Sequence, residues 1–298
     1  MLKRPVRLGG LVAAAMIISA VLAHLHVVFD VKTSLLTGSS WLRDTPIGSL
    51  VPWSHFAKDL AHLFNTSTLY DNPLWTISFE LLGSYLTFVF LLIFRRTWLR
   101  WFAYIALFLN LSDDLYMGFI IGIFFADVHK TFPSLISRAH LSYLIVPMLA
   151  GGVYLAAYPI SITNEQLMQS WYAVIPHGHH DRYLMAGAFL IFLAVTSAPT
   201  HQRVFSSSVF VYIGRISYAM YAVHVLVIAS FSSWLFQTLY SRFSYNQAFL
   251  LMFVPSLLLT LIVSHILTVW FDEKVTALAN RLAQFWFRVR DQGSASRS

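Results

Sequence analysis

Apolar residues in this chain gather into runs of helical length, separated by polar segments that carry most of the charge. A helix needs about 20 apolar residues to cross the hydrocarbon core of a bilayer. The runs at 8–29, 75–94, 209–231 and 248–271 meet that length. Four more, at 101–111, 115–125, 141–158 and 183–197, are shorter. Together they predict an all-α, polytopic transmembrane helical bundle of about eight spans. Segment 30–74 mixes Pro46, Pro52 and Pro73 with Trp41, Trp53, Phe56 and Phe64, the composition of a folded cap or interfacial segment rather than a free linker. Beyond the last run, residues 275–289 alternate apolar and basic positions at helical spacing, with Leu278, Leu282 and Phe285 on the apolar side. This stretch reads as an amphipathic helix on the inner leaflet, followed by a disordered tail over 291–298. The chain therefore divides into a membrane domain, 1–273, and an inner-surface helix with its tail, 274–298.

Composition agrees and removes alternatives. Charged residues make up 11% of the chain, hydrophobic residues 57%, and the mean hydropathy is +0.65. A soluble domain carries about 25% charge, so a soluble two-domain enzyme is excluded. The 16% aromatic content excludes a disordered chain. With no cysteine there is no disulfide framework, thiolate ligand or thiolate nucleophile. The net charge of +7 and pI of about 9.7 would suggest nucleic acid in a soluble protein. Here the basic residues lie between apolar runs and orient them, so the expected partner is the lipid bilayer and not nucleic acid. With the N-terminus inside, the outer segments hold only Lys32, Arg43, Lys58, Arg182 and Arg242 of the 20 Lys and Arg. This layout places both termini in the cytoplasm and makes the chain a multi-pass protein of the cell membrane. The first run is long enough to span and lacks a clear small-residue cleavage site, so no cleavable signal is expected.

Ionisable groups inside a span are costly and face a cavity or a partner. Glu80 lies five residues inside the run that opens at Trp75, about 7.5 Å from its outer end at 1.5 Å per residue. It either orients an acceptor hydroxyl and handles its proton, or ties two helices together. Ser217, Tyr221 and His224 recur at helical spacing on one face, with His224 about 13 Å along the helix from Arg215. That stripe either lines a site or mediates packing through small and hydroxylated side chains. Arg4 and Arg7, three residues apart, can both bind phosphate or pyrophosphate, or can simply mark the cytoplasmic side. His177, His179, His180 and Asp181 have metal-ligand chemistry but no register to fix it, and no metal site is expected. His24 and His26 read as interfacial and His265 as a packing residue. The serine-hydrolase elbow, the P-loop and the dinucleotide fingerprint do not occur.

Three of these features occur in order in one family. The segment 3–7, with Arg4 and Arg7, resembles the R-x-x-R segment of the acyltransferase 3 family of integral membrane O-acyltransferases, which modify cell-surface sugars, lipids and antibiotics. Residues 74–84 (LWTISFELLGS) resemble that family's Trp–Ser/Thr–x–x–x–Glu helix start. Residues 213–224 (IGRISYAMYAVH) resemble its late Gly–x–Ile–Ser–Tyr–x–x–Tyr–x–x–His helix, and Phe271, Asp272 and Glu273 the acidic end of its last helix. The resemblance covers residues 3–273.

It implies an acyltransferase that transfers groups other than aminoacyl groups. The expected reaction moves an acyl group, acetyl by expectation, from cytoplasmic acyl-CoA to a hydroxyl of a cell-envelope or exported glycan, lipid or small molecule. Acyl-CoA is then a cosubstrate, and no cofactor is bound. Arg4 and Arg7 hold the donor's phosphates, Glu80 and His224 serve the chemistry, and Trp75, Ser217 and Tyr221 contact substrate. Family members carry two further helices ahead of the R-x-x-R segment, with an arginine and the histidine taken as base. The chain as written starts at that segment, which leaves open a truncated product, a displaced start or a degenerate member. The alternatives are a catalytically dead fragment and a carrier or flippase-like protein in which Glu80 and His224 line a passage.

Overall fold

The structure, a computed structural model, describes residues 3–44, 53–94, 97–111, 114–132, 144–159, 164–176, 178–197 and 199–295. Pro46, Pro52, Arg95, Arg96, Arg138 and His177 lie outside the described residues. Among the described residues the secondary structure is helical, with no strand. Each apolar run falls on a helix, and four helices are long and apolar enough to cross a membrane: Lys3–His24, Asn72–Phe94, Ser208–Tyr240 and Tyr245–Gln284. The runs from 101 to 197 form helices of 11, 15, 12 and 18 residues. At 1.5 Å per residue the first three reach well short of the ~30 Å hydrocarbon core. The structure thus supports four spans by length and composition where the apolar pattern counts eight.

The chain forms two compact units, Met1–Leu81 with Tyr212–Ser298, and Leu82–Val211. The first is organised around α1 (Lys3–His24). Between helices in lipid, association rests on close packing rather than on the hydrophobic effect, so small residues matter. Leu8, Leu11, Val12, Ala15, Met16 and Ala20 are buried on α1 against Tyr70, Leu74 and Ile77, and against Ala219 and Ala222 of α10 (Ser208–Val227). After α1, α2 (Asp30–Thr37) closes on Gly38, whose φ of 69° gives the left-handed cap that glycine adopts freely. It is anchored by Gln237 Nε2, which donates to Phe29 O and Thr33 Oγ1 at 3.0 and 2.9 Å.

Segment 53–74 is folded, as its composition predicts, and its path decides where the site lies. α3 (Trp53–Ala61) begins beside the far end of α1, where Trp53 stacks on His24 at 4.4 Å. The next helix, Leu63–Thr66, brings Leu63 and Phe64 against Gly9, near the start of α1. The chain then returns to Ser19, whose hydroxyl donates to Tyr70 O, before descending again as α5, which follows the short α4 (Leu63–Thr66). α5 (Trp75–Phe94) carries Glu80 to the level of Arg4. The segment therefore runs back alongside α1, exposed over most of 53–66 and buried at Ser67, Tyr70, Asp71 and Leu74. Glu80 lies five residues into α5, as the sequence places it, and at the level of the first turn of α1.

In the second unit, α6 (Arg100–Asn110) and α7 (Met117–Thr131) pack through Tyr104, Ile120 and Ile123 against Phe90. Tyr104 donates to Asp127 Oδ2 at 2.7 Å. α8 (Ile145–Ala156) and α9 (His180–Ser197) pack backbone to backbone: a Cβ on Gly187 would stand 2.5 Å from Ala156 N and 2.6 Å from Gly152 O. Returning to the first unit, α10 runs through a π-helical turn, Ile228–Ser232, into α11 (Ser233–Tyr240). α12 (Tyr245–Leu267) opens on a capping box between Ser244 and Gln247. A second π turn, Thr268–Asp272, joins it to α13 (Glu273–Ala295). α13 does more than lie on a surface: Ala279 and Ala283 are buried, and Val275 meets Gly10 of α1. Leu278 and Leu282 remain exposed. The helix runs to Ala295.

Candidate active site

Three helices of the first unit enclose a cavity of about 420 Å³. α1 supplies Arg4 and Arg7 from its first two turns, α5 supplies Thr76 and Glu80 one turn apart, and α10 supplies Ser217, Tyr218 and Tyr221. The i, i+3 and i, i+4 spacings put each set on one helix face. Segments far apart in sequence thus meet in one place.

Arg4 Nη1 donates to Glu80 Oε1 at 2.9 Å, and both side chains are partly exposed to the cavity, at 38% and 40%. Tyr218 OH donates to Leu8 O at 2.8 Å, within electrostatic range of Arg4, Arg7, Glu80 and Asp272. Arg7 also faces the charge of Asp272, which is buried. On the opposite wall, Tyr221 OH donates to Pro73 O at 2.6 Å and lies 2.6 Å from Thr76 Oγ1. Thr76 Oγ1 in turn lies 3.1 Å from Pro73 O. This ring of hydrogen bonds fixes the first turn of α5 against α10. Ser217 Oγ is turned back to Gly214 O at 2.9 Å. At the neighbouring end of α12, Arg215 Nε donates to Glu273 Oε1 at 2.7 Å, tying α10 to the start of α13.

The cavity thus brings together Arg4, Arg7, Glu80, Ser217 and Tyr221. His224 and Trp75 do not line it. His224 Nδ1 is bonded to Tyr221 O at 2.8 Å, and the ring faces a second, more apolar groove between α10 and α12. Trp75 is 41% exposed and packs edge-on against Phe79. Two lining residues, Thr76 and Tyr218, were not singled out from sequence, although each lies inside a motif that was. Asp71 gave no sequence signal beyond a helix-start position. It occupies the cap of the turn Asn72–Leu74 without making the cap bond, and it is fully buried. Elsewhere, His265 Nδ1 accepts from or donates to Tyr212 OH at 3.0 Å, a packing contact, and His180 Nδ1 lies 2.7 Å from Tyr158 O. Among the described residues no group of three or more His, Asp or Glu side chains is placed to hold a metal ion.

Chemically, the cavity combines fixed cations with a carboxylate. Guanidinium groups suit phosphate oxygens, and a carboxylate can accept a proton from a hydroxyl. A family model described as acyltransferase 3, acyltransferase domain, matches residues 1–269. No curated protein and no solved structure matches the chain.

Proposed function

We propose that this chain, which belongs to the acyltransferase 3 family, transfers an acyl group from acyl-CoA to a hydroxyl-bearing acceptor at the cavity enclosed by α1, α5 and α10. By family resemblance the acyl group is acetyl, and the acceptor is a cell-envelope or exported glycan, lipid or small molecule. What carries this reading is the placing of Arg4 and Arg7 beside Glu80 in one cavity at the starting end of α1. With both termini cytoplasmic, the donor would approach the cavity from the side on which α1 starts.

The donor's phosphates bind Arg4 and Arg7, whose charge does not depend on pH. At rest Arg4 is engaged by Glu80. A phosphate competing for Arg4 loosens that pair, and Glu80 then accepts the acceptor's hydroxyl proton. The hydroxyl oxygen attacks the thioester carbonyl carbon, negative charge collects on the carbonyl oxygen, and collapse breaks the C–S bond. The thiolate leaves and takes up the proton, giving an ester and free CoA. Donors aimed at the oxyanion lower the barrier; the hydroxyls of Tyr221 and Thr76, which at rest donate within the ring at Pro73 O, would have to turn from it to supply one. His224 acts from behind, holding the backbone turn at Tyr221.

Binding tests the reading directly. Acyl-CoA affinity of the purified chain in lipid nanodiscs is expected to fall about tenfold or more in the Arg4→Ala, Arg7→Ala double variant, as loss of two charge-assisted contacts predicts. Equal affinity for the two proteins would refute the donor site.

A further inference from the structure

The second groove of the first unit lies beside the cavity and shares a wall with it. It encloses about 640 Å³ between α10 and α12, and Ser217 and Tyr221 line both spaces. From that shared wall it follows α10 past His224 to Ile228 and Ser232, with Met252, Phe253 and Leu257 of α12 opposite. Ser217 to Ser232 is about 22 Å of helix, most of the ~30 Å hydrocarbon thickness. The far end contains a π-helical turn, a feature often found at functional sites. Its polar groups are already paired: Ser232 Oγ donates to Ser256 Oγ at 2.8 Å, and Thr260 Oγ1 donates to Ser256 O at 2.8 Å. Apart from the His224 ring, whose Nδ1 is bonded to Tyr221 O, the groove asks nothing polar of an occupant along its length. The one polar end is the end shared with Arg4, Arg7 and Glu80.

We propose that this groove holds the hydrocarbon chain of a long-chain acyl donor, whose thioester lies at Ser217 and Tyr221 and whose phosphates lie at Arg4 and Arg7. The inference rests on the acyltransferase reading and replaces its acetyl group with a long chain, since an acetyl group would leave the groove unused. Continuity favours a donor chain over an independent lipid. A molecule with a charged head, a polar linker and an apolar tail matches both spaces at once, with head, linker and thioester in the polar cavity and the tail in the groove.

The test uses the full chain in nanodiscs with two photoreactive probes: palmitoyl-CoA with a diazirine at the chain end, and a phosphatidylcholine with the same diazirine chain. The CoA probe is expected to label α12 between residues 249 and 257. That labelling should fall about tenfold in Leu257→Trp, and in a second variant, Met252→Trp, each checked for folding by size exclusion. The ratio of palmitoyl-CoA to acetyl-CoA affinity should fall by a similar factor in both. Equal labelling of α12 by the phosphatidylcholine probe, with acetyl-CoA bound as well as palmitoyl-CoA, would overturn the groove assignment and leave the donor site standing. Binding of neither CoA ester would overturn both.

Discussion

Asp71 is wholly buried, and neither of its carboxylate oxygens has a hydrogen-bond partner among the described residues. It lies just before the span that begins at Asn72. Burial pushes its carboxyl from the ordinary 3.8 up to about 8. A group whose pKa is raised by folding favours the folded state in its protonated form. The associated stability is fully present below about pH 4 and is lost as the pH rises to about 8. The loss at full ionisation is on the order of 5 kcal/mol. Asp71→Asn removes the titration while keeping shape. Thermal unfolding in detergent is expected to show the Asn variant well above the parent at pH 8 and the two converging near pH 4. A gap independent of pH would show that Asp71 is not the titrating group. The nearby Tyr70 hydroxyl donates to Asp59 Oδ2 at 2.8 Å, and burial with that contact pushes its pKa up, so it stays neutral throughout this range.

Among elements, the closest approach that shapes the first unit is between α1 and α13. A Cβ on Gly10 would stand 2.6 Å from Val275 Cγ1, and valine has little rotamer freedom with which to yield. Gly10→Val should destabilise by about 1–3 kcal/mol through overpacking. Val275→Ala opens the space, so the double variant should recover most of the loss in thermal unfolding, a non-additive result for neighbours in contact. Simple addition of the two effects would mean the helices do not meet there. The existence of each helix was legible because apolar runs of this length have few other ways to satisfy their backbone in lipid. Their ends were less so. The run ending at 231 continues as helix to Tyr240 through a π turn, and the run ending at 271 continues into α13, because polar residues in the first case and charge in the second lower hydropathy without ending a hydrogen-bond ladder. Ser217, Tyr221 and His224 all line the groove beside α12. Periodicity cannot say that two spaces divide their helix face, since that depends on which helices come to lie against α10.

At the scale of the whole molecule, the returning path of 53–74 was the feature the sequence hid. Its prolines and aromatics announced a folded segment, but only contacts far apart in the chain, such as Phe64 with Gly9 and Ser19 with Tyr70, show that it runs back along α1. That path is why Glu80 and Arg4 meet. The orientation behind the proposed function has its own test, made simple by the absence of cysteine. A single Lys32→Cys on α2 should react with an impermeant maleimide added outside intact cells. Arg281→Cys on α13 should react only after permeabilisation, and the reverse pattern would invert the topology.

The central claim is that Arg4, Arg7 and Glu80 form one acyl-transfer site. Its most direct measurement is ester formation from radiolabelled acyl-CoA in membranes carrying the full chain, read as label released by hydroxylamine. The account predicts label above that of membranes lacking the chain. It also predicts a fall of about a hundredfold in Glu80→Gln, the scale of a lost acid–base group, with protein level and thermal unfolding little changed because the Arg4–Glu80 pair is partly exposed and worth about 1 kcal/mol or less. Label that persists unchanged in Glu80→Gln, or no label above background from the unaltered chain, would contradict it.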